Sequence, residues 1–215
     1  MSVNGAGRFS GELGDAARVR REFAPTTQRE RLLDAMAKMV AQQGYGATSV
    51  ADVLRAARIS RRTFYEQFAD KEDCFLAAYD LIAGRCIERV RTALAGSGTW
   101  RDAVEAALSA VLELLAAEPD FARLGVVEVL AAGPRGLERR DATLRQLVEF
   151  VERGRAQLGE VATPPPRLVA QAIVGGIYEL VYSHIVRGQT ARLPALVDEL
   201  LHYTFMLLGA PRDGA

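Results

Sequence analysis

The sequence predicts an all-α protein of about nine helices, with a small N-terminal head and a larger helical body. Three observations predict it. Ala and Leu are abundant while β-branched runs are few. Apolar residues recur at helical spacing through most of the chain. Two capping-box patterns, Thr27 with Glu30 and Thr99 with Asp102, mark helix starts. Hydrophobic residues at 49% and charged residues at 25% fit an ordinary soluble globular chain of 215 residues.

Residues 1–26 carry four glycines and no apolar stripe, and read as a flexible arm. Its Arg18, Arg20 and Arg21 could follow a phosphate backbone or enter a minor groove. The first helix starts at Thr27, buries Leu32, Leu33, Met36, Met39 and Val40, and stops at Gly44-Tyr45-Gly46. Thr48 or Ser49 caps the second, whose inner stripe is Val50, Val53, Leu54 and Ala57. Arg58-Ile59-Ser60 turns the chain, and Ser60 caps a third helix of about two turns. These segments make a head over residues 27–71.

In the third helix Phe64 and Phe68 share one face, four residues apart. Arg61, Arg62, Thr63, Tyr65 and Gln67 fall on the others. A rod pinned by two aromatics and presenting cations, a hydroxyl and a phenol suits a DNA groove better than catalysis. Charge agrees: residues 1–71 hold twelve Lys and Arg against eight Asp and Glu, although the whole chain is neutral.

Asp70 caps the next helix, whose stripe is Phe75, Tyr79, Ile82, Cys86 and Val90, and Gly96-Ser97-Gly98 ends it. A helix from Thr99 buries Leu108, Val111, Leu112 and Leu115. Glu118-Pro119-Asp120 breaks it, and Phe121 to Ala132 is short and apolar. Gly133 to Gly136 turns into a long helix over Leu137 to Leu158, with Leu144, Leu147, Val148 and Val151 inside. After a stiff Pro164-Pro165-Pro166 connector come two apolar helices, over residues 167–187 and 192–208. Their apolar faces are wider than one contact needs, so paired copies of this hairpin would form a homodimer through a four-helix interface. Gly175-Gly176 suggests close helix approach, for which that interface is one place. The body spans residues 72–212.

No apolar leader opens the chain and no run of about 18 uninterrupted apolar residues occurs, so neither a signal peptide nor a membrane span is expected, and a cytoplasmic location is. Cys74 and Cys86, twelve residues apart on one helix, would lie roughly 18 Å apart, too far to bond.

The run Thr48 to Leu54, then Ile59 to Phe68, then Asp70-Lys71-Glu72-Asp73 resembles the helix-turn-helix head of the TetR family of bacterial transcription regulators. The resemblance implies a dimer with two heads, each placing its third helix in the major groove of a palindromic double-stranded DNA operator. It implies that a small molecule in the body releases the DNA. Carried over by position, Thr48 and Ser49 meet a phosphate, and Arg61, Arg62 and Thr63 read bases or phosphates. Tyr65 and Lys71 touch the backbone, and Phe64 and Phe68 are core. Gln67 completes the DNA-facing set. The glycine common in the family's turn is Arg58 here, either an added cation beside DNA or a mildly strained turn.

Ligand-contact candidates are large or polar residues on apolar stripes: Tyr79, Cys86, Trp100, Phe121, Glu128, Tyr178, Tyr182 and His184. The aliphatic lining favours an apolar or amphipathic effector of unknown identity. No cofactor and no metal is expected. An all-α enzyme would need clustered acid, base or metal ligands, yet the two histidines, His184 and His202, are far apart and no phosphate-binding loop occurs. A helical interaction protein that has lost operator binding is the other alternative, and nothing in the head looks eroded.

Overall fold

The computed structural model describes residues 25–96, 98–155 and 168–209. Among these residues there are nine α-helices, two 3₁₀ segments and no strand. The three arginines of the arm and the triple-proline connector lie outside the described residues, as do residues 210–212.

Helix α1 (Gln28–Gln43) begins on a complete capping box. Thr27 Oγ1 accepts the Glu30 N–H at 3.1 Å, and the Glu30 carboxylate accepts the N–H groups of Thr26 and Thr27 at 2.8 and 3.0 Å. Gly44 ends the helix at a φ of 82°, where a side chain would be strained. Ser49, not Thr48, caps α2 (Val50–Ala57), with Asp52 returning the bond. That helix ends on Arg58 in the left-handed region, at a φ of 54°. Arg58 therefore holds a conformation that costs roughly 1–2 kcal/mol for a residue with a Cβ, so the turn is strained. Ser60 caps α3 (Arg61–Gln67) by accepting the Thr63 N–H at 3.1 Å.

Asp70 starts α4 (Lys71–Gly96) by accepting the Asp73 N–H at 2.8 Å. Its 26 residues reach about 39 Å and carry the chain from head to body. Helix α5 (Trp100–Ala117), capped by Thr99, packs back along α4. Then follow α6 (Pro119–Val126), a 3₁₀ turn (Glu128–Ala131) and α7 (Pro134–Arg155). Helix α7 starts three residues before the expected Leu137, because Pro134 suits a first helical position, where no N–H is needed.

Helix α8 (Val169–Val186) and α9 (Val197–Leu208) form the last hairpin. The expected helix over 192–208 is shorter than that. Thr190–Leu196 is 3₁₀, with Pro194 inside it, and a proline there cannot supply an α-helical N–H. Helix α8 is long and apolar enough, by length and composition, to cross a membrane, which the sequence reading did not expect; here 33% of it is buried within the bundle.

Phe64 and Phe68 are 0% and 3% exposed, with ring centroids 5.7 Å apart. They fill the head together with Leu32, Met36, Val40, Val53 and Phe75. The same apolar cluster continues through Phe121, Leu124 and Leu112 to Leu200 in the body. Head and body thus share one core, and a change in body packing bears directly on the head.

The glycine pair in α8 splits into two cases. A Cβ on Gly176 would lie 2.3 Å from the Tyr203 hydroxyl of α9, whereas one on Gly175 would meet nothing within 4 Å. Tyr203 lies over α8 because its hydroxyl donates to the Ala172 carbonyl at 3.0 Å. Gly176 therefore serves the close approach of α8 and α9 inside the chain, as the glycine pair predicted.

Candidate nucleic-acid interface and ligand cavity

The face of α3 opposite Phe64 and Phe68 is open. Arg61, Arg62, Tyr65 and Gln67 are all exposed, as the groove reading requires. The Arg62 side chain is 90% exposed and its Nε donates to Glu66 at 2.9 Å. The Arg61 guanidinium lies 5.6 Å from the Tyr65 ring centroid. Tyr65 packs nearly perpendicular to the buried Phe64 ring, with centroids 5.3 Å apart, and stays 47% exposed. Thr63 is half-buried and its hydroxyl lies 2.9 Å from that of Ser60, so it is partly occupied by the cap. Ser49 stands exposed at the start of α2.

One expected contact, Thr48, sits elsewhere, and another, Lys71, already has a partner within the head. Thr48 is 2% exposed, and its hydroxyl donates to the Gly44 carbonyl at 2.8 Å. Its job is closing the turn between α1 and α2, not meeting phosphate. Lys71 is half-buried; its Nζ donates to the Tyr45 carbonyl at 2.9 Å and lies 4.2 Å from the Tyr45 ring centroid. A cation held in this way braces the corner of the head.

Tyr45 is gripped from its other side by the body. Its N–H donates to the Glu128 carboxylate at 3.0 Å. Glu128 is 8% exposed and pairs with Arg123 at 3.3 Å. Glu128 was a ligand candidate; instead it bonds the 3₁₀ turn of the body to the head.

The body holds an apolar cavity of about 220 Å³ between α4, α5, α7 and α8. Of the candidates, Tyr79, Cys86, Trp100 and Tyr178 line it. Phe121, Glu128, Tyr182 and His184 do not. Phe121 is core, at 2% exposed, and His184 Nδ1 is bonded to the Leu180 carbonyl at 2.8 Å. Desolvation pushes the Cys86 thiol and the Tyr79 phenol up to about 12 each, so both stay protonated and neither is a nucleophile at neutral pH. Trp100 lies flat on Gly154, where a Cβ would approach its ring to 2.2 Å. Leu144, Leu147 and Val151, expected as core, are half-buried and line the cavity along α7.

The sequence reading missed Arg140 and Thr143, which also line it. The signal was there: Arg140 stands in register with Leu144, Leu147 and Val151 on the same face of α7. Its neighbours Arg139 and Asp141 disguise it as part of a solvated run.

Among the described residues no group of three or more His, Cys, Asp or Glu could hold a metal.

Residues 32–78 match the family model for bacterial regulatory proteins of the tetR family. The head of this chain is thus a TetR-family DNA-binding domain. Helices α1–α3 form its helix-turn-helix unit. Over 183 residues it is 25% identical to the fatty acid metabolism regulator protein of Bacillus subtilis (strain 168), covering 80% of this chain and 90% of that protein. Two solved structures share the fold. The fatty acid degradation regulator FadR of Bacillus halodurans has a TM-score of 0.74 at 21% identity, covering 84% of this chain and 95% of its own. The transcriptional regulator FadR of Bacillus subtilis, solved with stearoyl-CoA, has a TM-score of 0.71 at 23% identity, covering 83% and 97%.

Proposed function

We propose that this TetR-family regulator is a dimeric repressor whose body takes an effector with a long apolar chain, of the fatty acyl or acyl-CoA class, and releases a palindromic operator when it is filled. The observation that carries the reading is the apolar cavity set directly behind the bonds that hold the head. Tyr178, in its wall, donates to the Val126 carbonyl at 2.6 Å, and Glu128, two residues on, holds Tyr45.

A volume of 220 Å³ takes roughly seven water-sized groups at about 30 Å³ each. A longer chain must part α4, α5 and α7, and that parting reaches the head through the shared core. The relative solved with stearoyl-CoA supports this class of ligand.

Two copies would join through the exposed faces of α8 and α9, where Leu180, Val186 and Met206 lie 43%, 48% and 59% open. Such surfaces call for a partner. The dimer would set two α3 helices against successive major grooves, with Arg61, Arg62, Tyr65, Gln67 and Ser49 meeting DNA. The site of action is the cytoplasm, where the chromosome lies.

The test is selection of bound duplexes from a random pool, followed by a gel shift on the selected duplex with dodecanoyl-CoA or with coenzyme A alone. A palindromic consensus released by the acylated compound only is the expected result. A duplex that neither compound releases argues against the effector class, and no selected sequence at all argues against operator binding.

A further inference from the structure

Among the described residues Arg140 is the only charged side chain lining the cavity. It stands near the start of α7, and its side chain is 23% exposed. Its Nη1 bonds Asp141 at 3.0 Å, and its guanidinium stacks on the Tyr178 ring at 4.4 Å. Its Nε is buried and has no hydrogen-bond partner. A buried donor of a cation left unbonded is costly, and here the cavity supplies the space in which a partner would sit. Thr143 and Tyr79, joined hydroxyl to hydroxyl at 3.0 Å, lie at the same end.

The opposite end is different. Leu94, Trp100 and Phe150 line it; Trp100 Nε1 is also buried without a partner, and the Arg153 guanidinium lies 5.1 Å from the Phe150 ring, beside an adjoining cleft that Arg91 also lines. Arg140 and Phe150 are ten residues apart on α7, about 15 Å. Among the described lining residues the charge inside the cavity stands at the Arg140 end.

Building on the acyl reading above, we propose that Arg140 is the head-group anchor: it binds an oxyanion carried by an apolar-chain effector, whose tail runs towards Trp100 and Phe150. A guanidinium fork suits either a carboxylate, as in a free fatty acid, or a phosphate, as in an acyl-CoA. The shared chemistry is an anion on an acyl chain. An uncharged lipid of the same length would fill the apolar end and leave Nε unbonded. The placement also gives regulation a starting point. An anion drawn onto Arg140 competes with its stacking on Tyr178, and Tyr178 is the residue that holds the Val126 carbonyl ahead of the Glu128–Tyr45 bond.

Trp100 is the single tryptophan and lies in the cavity wall, so its fluorescence reports occupancy. The full chain, as wild type, Arg140→Gln and Arg140→Lys, is titrated with dodecanoate, dodecanoyl-CoA and 1-dodecanol, after thermal melts establish that each variant folds. Arg140→Gln is expected to weaken one or both charged ligands by about tenfold or more, with 1-dodecanol held within about twofold. Arg140→Lys should fall between. Loss confined to dodecanoate identifies a carboxylate, and loss confined to dodecanoyl-CoA identifies the phosphates. Equal weakening of all three, or unchanged affinity for the charged pair, overturns the anchor while the acyl reading stands. Wild type that binds none of the three overturns both. Should Arg140→Gln fail to fold, Arg140→Lys decides: unchanged affinity for both charged ligands overturns the forked anchor.

Discussion

The Glu128 carboxylate accepts the backbone N–H of Tyr45 at 3.0 Å, and it is the polar bond that ties the 3₁₀ turn beside the cavity to the corner of the head. The Tyr45 carbonyl is held in turn by Lys71 at 2.9 Å. One peptide segment between α1 and α2 is therefore fixed from the body on one side and from α4 on the other. Movement of either support reorients the head.

Glu128→Ala removes a buried acceptor and leaves the Tyr45 N–H without its partner. The expected loss is about 1–3 kcal/mol, measured by urea unfolding. The variant should still fill its cavity, read by Trp100 fluorescence, yet release DNA less completely when filled. A variant with the full response to ligand would remove this bond from the coupling.

Arg62→Ala should weaken operator binding by roughly 1–3 kcal/mol if Arg62 reads a base. Stability should barely move, because an exposed pair such as Arg62–Glu66 contributes at most about 1 kcal/mol. Anisotropy titrations on specific and scrambled duplexes separate the cases. Equal losses on both duplexes would make Arg62 a phosphate contact, and no loss on either would take it off the interface.

The head was legible in the sequence because its signals are local. Ser60, Phe64 and Phe68 lie within nine residues, and a cap and an i, i+4 aromatic pair need no knowledge of the rest of the fold. The body was legible as helices but not as a site. Whether Tyr182 or Tyr178 faces the cavity depends on how α8 is rotated against α7, and nothing within α8 records that. Thr48 was misplaced for a related reason: its partner, Gly44, offers a backbone carbonyl, and any residue type can supply one. Glu128 was noticed as odd on an apolar stripe, correctly, but its partner lies 83 residues away.

Gly175→Leu should weaken self-association while the subunit stays folded, because a side chain there meets open space within the chain. Gly176→Leu cannot make that distinction, since it collides with Tyr203 first. Sedimentation velocity over a concentration series checks this. An unchanged dimer in Gly175→Leu would move the interface off this part of α8.

The cap of α1 gives a pH dependence. Hydrogen bonds from Thr26, then Thr27, lower the Glu30 carboxyl from 4.5 to about 2. A lowered folded-state value means that the contribution is present in full above about 4.5 and is lost as pH falls towards 2. Glu30→Gln should therefore flatten the fall in thermal midpoint across that window. An identical profile in variant and wild type would assign the acid sensitivity to other carboxylates.

The central claim is that filling the cavity and holding DNA exclude one another. The direct measurement is fluorescence anisotropy on a selected operator duplex during titration with dodecanoyl-CoA, with Trp100 emission recorded in the same samples. The duplex is expected to dissociate over the same ligand range in which Trp100 emission changes, with operator affinity falling about tenfold or more. Trp100 emission that saturates while the duplex stays bound at its original affinity would contradict it.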